Sequence, residues 1–399
     1  MRASLITAIL ASTTAAATPL GVQGTGKTLK RDSATGFEWD PEDFKVAAVR
    51  YPPYNWAYPD TENTTWANYD LNRTITKAVD LIKEAAAEGV KFVAFPEVYF
   101  PGYAHVLSSF GLGNNQLPTD YAQYASQSME YDSPEWKTLM QAFADTKIYG
   151  VVGWSERAND SLYIAQTLVG PLQNGTAGAV HRHRKLRPSG AERNLWSDGD
   201  VSSIRTQKLP FGSVSMLSCF ENEYADTRFI ASSQPANLHV ASFPYGRVVS
   251  DWNWRLPPYS TFKTVAAAYG IASGGAAVIL PAIGASTIFN ERAITMNETL
   301  TNNLPSMQAM PYITSSYNTT NWTTPEFSLS SQYSWGSAMS ILRGIAAVVP
   351  AVEGPYFGHV VSTVEQLSSG FVQTPSTECV ATEEYDCVEV WPREGGFMA

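Results

Sequence analysis

The chain has 399 residues, of which 44% are hydrophobic and 16% are charged. This length and composition allow a large hydrophobic core and exclude general disorder. The formal net charge of −10, from 37 acidic and 27 basic residues, argues against a nucleic-acid partner, because the phosphate backbone attracts positive charge.

The N-terminus has the layout of a secretory signal peptide. Met1-Arg2 provides a positive start, residues 5–11 are apolar but too short to span a bilayer, and residues 15–17 are small alanines. We therefore expect a signal peptide at residues 1–17 and a secreted protein. Lys30-Arg31 offers a second cleavage site, which would make residues 18–31 a pro-segment; an ordinary basic pair in a loop is the alternative. No later charge-free apolar run of about 18 residues occurs, so we expect no membrane partner.

Several Asn-X-Ser/Thr sequons accompany this export signal and predict an N-glycosylated extracellular protein. The sequon asparagines are Asn63, Asn72, Asn159, Asn174, Asn297, Asn318 and Asn321.

Apolar periodicity predicts the first structural elements. Residues 44–49 are an apolar run of strand length. Residues 68–88 place apolar side chains three to four positions apart, which predicts an amphipathic helix that ends at Gly89. Residues 90–95 then predict a second buried strand.

Elements of both kinds continue along the chain. Ser133-Pro134 is a typical helix start, and we expect this helix to run to about residue 145. Alternating strands and helices of this kind indicate an α/β fold whose strands are buried on both faces. The further predicted elements are strands at residues 148–154, 162–169, 214–217, 238–243 and 276–280 and a helix at residues 261–269.

The C-terminal part of the chain has a different composition. We expect one domain at residues 40–370, interrupted by an Asn/Thr-rich, solvated insertion at residues 297–334, and a loosely structured tail at residues 371–399. The three cysteines are an odd number. Cys379 and Cys387 could close a small disulfide loop, which would leave Cys219 unpaired.

Three reactive side chains lie at the ends of apolar runs, where α/β proteins usually build sites. Glu97 follows residues 90–95, and its enclosure by prolines and aromatic residues would raise its pKa and suit it to accept a proton. Cys219 follows the apolar run at residues 214–217. It lies at a predicted turn whose backbone N–H groups could bind an oxyanion. The plainer alternatives are that Glu97 is a solvated acid at a strand end and that Cys219 is a small buried hydrophobic side chain.

The third reactive side chain, Lys185, belongs to the basic segment HRHRKLRP at residues 181–188. A solvated edge strand is the plain interpretation. The pair His181 and His183 could suggest a metal, but no Cys or third His lies nearby to complete the ligand set. On a strand, Arg182 and Arg184 would share one face with Leu186, and His181, His183 and Lys185 the other. A lysine that points inward near a thiol would favour the thiolate and could stabilise an oxyanion.

These segments together resemble the nitrilase superfamily, and specifically its nitrilase branch. FPEVYFPGY at residues 95–103 resembles the family's first-glutamate block, HRKLRP at residues 183–188 its lysine block, and CFEN at residues 219–222 its cysteine block. The resemblance implies Cys219 as nucleophile, Glu97 as base, Lys185 as oxyanion stabiliser and proton donor, Glu192 as assisting residue, and the backbone N–H of Phe220 as part of the oxyanion hole.

The same resemblance implies the fold and the reaction. The expected fold is a four-layer αββα sandwich, and the expected oligomer is a dimer or larger. The expected reaction is hydrolysis of a small-molecule nitrile by water to a carboxylic acid and ammonia, through a thioimidate and a thioester and without metal or organic cofactor. Asn222 favours this branch, because fungal-type cyanide hydratases tend to carry histidine at that place.

Two other functions stay open. Amide-forming nitrile hydration, or amidase activity, would use the same residues. A secreted binding protein on a retired enzyme scaffold is the alternative outside catalysis.

Overall fold

The computed structural model describes residues 29–56, 69–104, 117–234, 236–247, 257–301 and 303–322. The predicted signal peptide, the C-terminal tail with Cys379 and Cys387, and the sequon at Asn63 lie outside these residues. The described α-helices are α1 (Leu71–Ala87), α2 (Leu117–Gln127), α3 (Pro134–Thr146), α4 (Ala225–Ser232), α5 (Tyr259–Ala272) and α6 (Leu304–Ala309). The described strands are β1 (Lys30–Arg31), β2 (Glu38–Trp39), β3 (Phe44–Val49), β4 (Phe92–Ala94), β5 (Met129–Glu130), β6 (Tyr149–Ala158), β7 (Ser161–Pro171), β8 (Ala177–Arg184), β9 (Gln207–Leu209), β10 (Gly212–Ser218), β11 (Leu238–Ser242), β12 (Ala277–Leu280), β13 (Ser286–Phe289), β14 (Thr295–Thr299) and β15 (Tyr312–Tyr317).

Two larger sheets organise the domain. The first has the strand order β15-β3-β4-β6-β7-β8, with β5 paired to β6, and the second has the order β14-β13-β12-β11-β10-β9. The central pairs β3–β4, β4–β6, β10–β11 and β11–β12 are parallel. The carboxyl ends of the parallel strands therefore meet at one edge of each sheet.

The two sheets pack face to face. Val46 and Phe92 of the first sheet lie in one buried cluster with Val214, Val240 and Ile279 of the second. Because side chains alternate across a strand, the neighbouring residues of β3 and β4 point to the opposite face of the first sheet. Strands buried on both faces were the expectation from the sequence.

Helices cover both outer faces. Ile75 of α1 and Phe143 of α3 pack with Val93 on the first sheet, while Phe262 of α5 packs with Val278 on the second. The layers are helix, sheet, sheet and helix, so the predicted αββα sandwich is confirmed.

Local capping signals set the ends of two of these helices. Asp70 caps α1 by accepting the backbone N–H of Arg73, and Ser133 caps α3 by accepting that of Trp136. These side chains satisfy N–H groups that the first helical turn leaves free. The helices that the sequence predicts at residues 68–88 and 134–145 are confirmed within a few residues.

Part of the predicted insertion belongs to the sheet. Tyr312–Tyr317 pairs antiparallel with Phe44–Val49 along its whole length, and Ile313 and Tyr317 are buried. The prediction of a solvated excursion is therefore wrong for this stretch, because these side chains cover β3, which would otherwise be an open sheet edge. Residues 323–334 of the predicted insertion lie outside the described residues.

The N-terminal boundary also differs from the prediction. Phe37 and Trp39 are buried in the cluster between the sheets, so the domain core begins before residue 40. Lys30–Arg31 is exposed and pairs with Glu38–Trp39. No helix among the described residues is both long and apolar enough to cross a membrane.

Candidate active site

Glu97, Lys185 and Cys219 follow three strand ends on two sheets. Glu97 follows β4 and Lys185 follows β8, both in the first sheet, and Cys219 follows β10 in the second. The backbone N–H of Glu97 donates to the carbonyl of Phe243 at 3.2 Å, which connects the first sheet to the second beside the site. The site therefore depends on the packing of the two sheets.

Four buried side chains form the centre of the site. The ammonium of Lys185 donates to Glu97 Oε1 at 3.0 Å and to Glu192 Oε2 at 2.8 Å. The thiol sulfur of Cys219 and a carboxylate oxygen from each glutamate lie within 4.8 Å of one another. Lys185 is 0%, Glu97 1%, and Glu192 and Cys219 each 4% exposed. The structure thus brings together the four residues that the sequence predicts, although their catalytic roles stay predictions.

Burial and charge together set the ionisation of the site. Burial raises the pKa of Glu97 to about 8, against the lowering effect of Lys185. Burial alone would lower the pKa of Lys185, but Glu192 and Glu97 hold it well above its ordinary value. Burial and Glu97 raise the pKa of the Cys219 thiol, while Lys185 opposes this rise. The thiol is therefore neutral at rest and needs a base before it can attack.

The backbone presents Cys219 on a tight turn. Its φ is 49°, a left-handed conformation that costs energy for a residue other than glycine. It begins a 3-10 helix, Cys219–Asn222, whose N-cap Ser218 forms a capping box with Glu221. The backbone N–H of Phe220 favours the thiolate form and lowers the pKa of Cys219, while its place in an oxyanion hole stays a prediction.

Glu192 is held by bonds to both of its oxygens. It lies in the 3-10 helix Gly190–Asn194 and accepts the backbone N–H of Ser189 at 2.5 Å. The hydroxyl of Tyr103 donates to its other oxygen at 2.6 Å. Tyr103 belongs to the first-glutamate block, but the sequence analysis gave it no role, because its contact is with a residue 89 positions away.

The alternation predicted for residues 181–187 is found on β8. Arg182 and Arg184 both donate to Glu156, at 2.9 Å and 2.7 Å. His183 and Lys185 are fully buried on the other face. His183 contacts Glu221 at 2.9 Å, so it belongs to a hydrogen-bonded pair. The interpretation of this segment as a solvated strand holds only for its arginine face.

A second buried network supports the turn of the nucleophile. The amide of Asn222 donates to the carbonyl of Cys219 at 2.9 Å, and its oxygen contacts His239 Nε2 at 2.8 Å. His239 Nδ1 in turn contacts Ser215 Oγ at 2.8 Å. Burial lowers the pKa of His239 to about 3, so this ring is neutral. The sequence analysis gave His239 no role, although residues 238–244 resemble the second part of the family's cysteine block.

The carboxylates and thiol are also the groups that a metal ion would use. Their ligand atoms are close enough together, but Lys185 already bonds both carboxylates. A metal cation at this place would have to displace the positively charged ammonium of Lys185 or bind close to it. The donor set therefore fits acid–base chemistry better than metal binding, and the cofactor-free site stays a prediction.

Comparison with known proteins agrees with this geometry. The sequence profile of the carbon-nitrogen hydrolase family matches residues 45–299. A nitrilase of Talaromyces marneffei is 36% identical over 177 residues, which are 44% of this chain and 53% of the relative. An aliphatic nitrilase of Rhodococcus rhodochrous is 35% identical over 202 residues, or 50% of each chain. A cyanide hydratase of Alternaria brassicicola is 30% identical over 185 residues, 46% of this chain and 49% of the relative.

Each of these matches spans about half of the relative's length. The family profile, by contrast, covers more than half of the 399 residues and includes Glu97, Lys185, Glu192 and Cys219. The chain belongs to the carbon-nitrogen hydrolase family, that is, to the nitrilase superfamily.

Proposed function

We propose that this chain hydrolyses a nitrile to the carboxylic acid and ammonia, with Cys219 as the nucleophile. One observation carries the proposal: Lys185 bonds Glu97 and Glu192 in a buried site, with the Cys219 sulfur within 4.8 Å of a carboxylate oxygen of each. A thiol, a base and a fixed cation in one water-poor place are what nucleophilic catalysis on a carbon–nitrogen bond requires.

The first half of the reaction forms a thioimidate. Glu97 takes the thiol proton, and the Cys219 sulfur forms a bond to the nitrile carbon as one π bond of the nitrile breaks. The nitrogen then takes the proton back from Glu97. Lys185 and the backbone N–H of Phe220 stabilise the negative charge that develops in the transition state.

The second half consumes two water molecules. The first water loses a proton to Glu97 and its oxygen adds to the thioimidate carbon, and Glu97 passes that proton to the nitrogen. The remaining hydroxyl proton follows to the nitrogen as the C=O bond forms and the C–N bond breaks, which releases ammonia. This step leaves a thioester on Cys219. The second water, again activated by Glu97, releases the carboxylic acid and restores the thiol. Glu192 keeps Lys185 in place during both halves.

A Cys219→Ala variant tests the proposal. Ammonia release from a panel of aliphatic and aromatic nitriles should fall to background, while the near-ultraviolet circular dichroism spectrum stays that of the wild type. Full turnover in a folded Cys219→Ala protein would refute it. Failure of the wild-type protein to release ammonia from any nitrile in the panel would do the same.

Amide-forming hydration is the second candidate, favoured by the similarity to a cyanide hydratase. The choice is made at the tetrahedral intermediate, which yields acid if ammonia leaves and amide if the Cys219 thiolate leaves. Quantifying ammonia and amide from the same wild-type reaction separates the two. A predominance of ammonia supports the nitrilase function, and a predominance of amide supports hydration.

We also propose that the protein is secreted, N-glycosylated and at least dimeric. Secretion and glycosylation are supported by the predicted signal peptide and by the exposure of the described sequon asparagines, and the oligomer by the family resemblance alone. These asparagines are Asn72, Asn159, Asn174, Asn297, Asn318 and Asn321. Expression through a secretory pathway should give a protein whose mass falls on treatment with an N-glycosidase. Light scattering after size exclusion would then give the oligomer mass, and a monomer would contradict that part of the proposal.

A further inference from the structure

Glu221 is a buried carboxylate that the reaction above does not use. It is 1% exposed and lies two residues after Cys219. It accepts the backbone N–H of Ser218 at 3.0 Å on one oxygen and that of Leu186 at 2.7 Å on the other. Ser218 precedes Cys219, and Leu186 follows Lys185. A single side chain therefore connects the backbone beside the nucleophile to the backbone beside the lysine.

This connection crosses from one sheet to the other. Ser218 ends β10 in the second sheet, and Leu186 follows β8 in the first. Through its hydrogen bonds to two backbone N–H groups, Glu221 fixes the distance between these two strand ends. Lys185, by contrast, contacts Glu97 and Glu192 only through its own long side chain.

His183 completes the connection. Its Nε2 contacts Glu221 at 2.9 Å, and its Nδ1 contacts the hydroxyl of Ser203 at 2.8 Å. That hydroxyl also donates to the carbonyl of Asp200. Because a carboxylate oxygen can only accept, Nε2 of His183 donates to Glu221.

The charge of Glu221 agrees with this assignment. Burial alone would raise the pKa of Glu221, but His183 and the backbone N–H groups of Ser218 and Leu186 lower it below its ordinary value. A buried carboxylate adds little to stability compared with apolar packing. Its presence at this place is better explained by geometry, since only a carboxylate offers two acceptor oxygens to two backbone donors and an imidazole N–H.

We propose that Glu221, held by His183, is a positioning residue that sets the distance between Cys219 and Lys185. The inference rests on the proposed cysteine-hydrolase function. It identifies the side chain that holds Cys219 on one sheet at a fixed distance from Lys185 on the other. Glu221 acts through the backbone of its neighbours and does not contact the substrate.

The variant Glu221→Gln tests this role. Glutamine keeps the size of the side chain but offers one acceptor oxygen, so one of the two backbone N–H groups loses its partner. We expect kcat to fall about tenfold to a hundredfold with KM little changed, because misplacing reacting groups by about 1 Å costs this much. The variant Glu298→Gln is a matched control, since Glu298 bonds Lys263 and Thr287 and contacts none of the catalytic residues in the described structure.

A second readout does not depend on the substrate. Lys185 lowers the pKa of the Cys219 thiol, so moving the two groups apart should shift the pH midpoint of Cys219 alkylation to higher pH. Iodoacetamide labelling followed by mass spectrometry of the Cys219 peptide measures this midpoint. A wild-type protein without turnover would refute the proposed function, while a shifted midpoint in folded Glu221→Gln would still support the positioning role.

Two results would overturn the inference: a folded Glu221→Gln protein with wild-type kcat and alkylation midpoint, or an equal shift in Glu298→Gln. If Glu221→Gln does not fold, His183→Gln carries the test, because its amide can donate to Glu221 or to Ser203 but cannot bridge the two as the ring does. We expect the same direction of change in that variant with a smaller loss of kcat, and wild-type behaviour would refute the role.

Discussion

At the scale of single residues, the site holds one buried ammonium and two buried carboxyl groups. Lys185 balances one negative charge, and Glu192 is the carboxylate with the larger effect on its pKa. The second carboxyl group, Glu97, has an oxygen, Oε2, without a hydrogen-bond partner among the described residues. Because burial raises the pKa of Glu97 to about 8, this group carries a proton at neutral pH and becomes a base in mildly alkaline solution.

This ionisation predicts the pH dependence of the reaction. A carboxyl group with a raised pKa is the free base only above that pKa, so activity that needs the base is lost as the pH falls below about 8. We expect kcat/KM for an uncharged nitrile to rise with pH and to level off above an inflection near that value. Steady-state rates between acidic and alkaline pH check this, and a flat profile across neutrality would contradict the assignment of Glu97 as base.

Tyr103 offers a prediction for a residue that the sequence analysis did not assign. Tyr103→Phe removes the hydroxyl that donates to Glu192 and leaves the ring in place. We expect kcat/KM to fall about tenfold to a hundredfold, because a hydrogen bond to a charged group contributes about 1.5–3 kcal/mol.

The matched control for this change is Tyr124→Phe. Tyr124 is another buried tyrosine, and its hydroxyl donates to the carbonyl of Gly102 at 2.8 Å. Kinetics of both variants at equal folded concentration decide the question. An equal loss in the two variants would mean that the effect comes from disturbing the buried cluster that both tyrosines share and not from the bond to Glu192.

At the scale of elements, the position of Lys185 depends on close backbone packing. The backbone N–H of Gly199 donates to the carbonyls of Lys185 and Leu186 at 2.9 Å and 3.1 Å. A Cβ atom at this glycine would lie 2.6 Å from the carbonyl oxygen of Lys185. Glycine is therefore required here for space, and the segment after β8 can approach Lys185 only without a side chain.

The variant Gly199→Ala should consequently displace Lys185. We expect a loss of about 1–3 kcal/mol in the free energy of unfolding, as for other overpacked sites, together with a marked fall in kcat. Denaturant unfolding and steady-state kinetics measure the two effects. Gly178→Ala is the control, because its nearest neighbour is the flexible side chain of Leu172 at 3.1 Å. Unchanged activity in Gly199→Ala would show that the backbone can move aside without cost.

Local signals explain which elements could be predicted. The strand at residues 44–49 and the helix capped by Ser133 follow from periodicity and capping, which act within a few residues. Pairing across long sequence distances leaves no such signal. The strand Tyr312–Tyr317 pairs with β3 more than 260 residues earlier, and its Ser/Thr-rich sequence is typical of a loop as much as of an edge strand.

The same limit applies to the site. Glu97, Lys185 and Cys219 could be predicted because their blocks resemble a known family, and Glu97 and Cys219 also because each follows an apolar run. The bonds from Tyr103 to Glu192 and from His183 to Glu221 join segments 89 and 38 residues apart. They form only when distant strand ends come together, and the second also needs the two sheets to pack, so neither composition nor spacing could reveal them.

At the scale of the whole molecule, the charge of the chain bears on which substrates reach the site. The formal net charge is −10, and a net negative protein repels anions over a distance that dissolved salt shortens. An uncharged nitrile is not subject to this repulsion, whereas a nitrile that also carries a carboxylate is.

The salt dependence of kcat/KM should therefore differ between two substrates of similar shape. For benzonitrile, we expect kcat/KM to be the same at about 0.01 M and about 1 M sodium chloride, where the Debye length falls from about 30 Å to about 3 Å. For a cyanobenzoate, we expect kcat/KM to rise several-fold over the same range as the repulsion is screened. Taking the ratio of the two substrates removes any general effect of salt on the enzyme. A cyanobenzoate whose kcat/KM falls with salt would mean that a local positive potential near the site outweighs the net charge of the molecule.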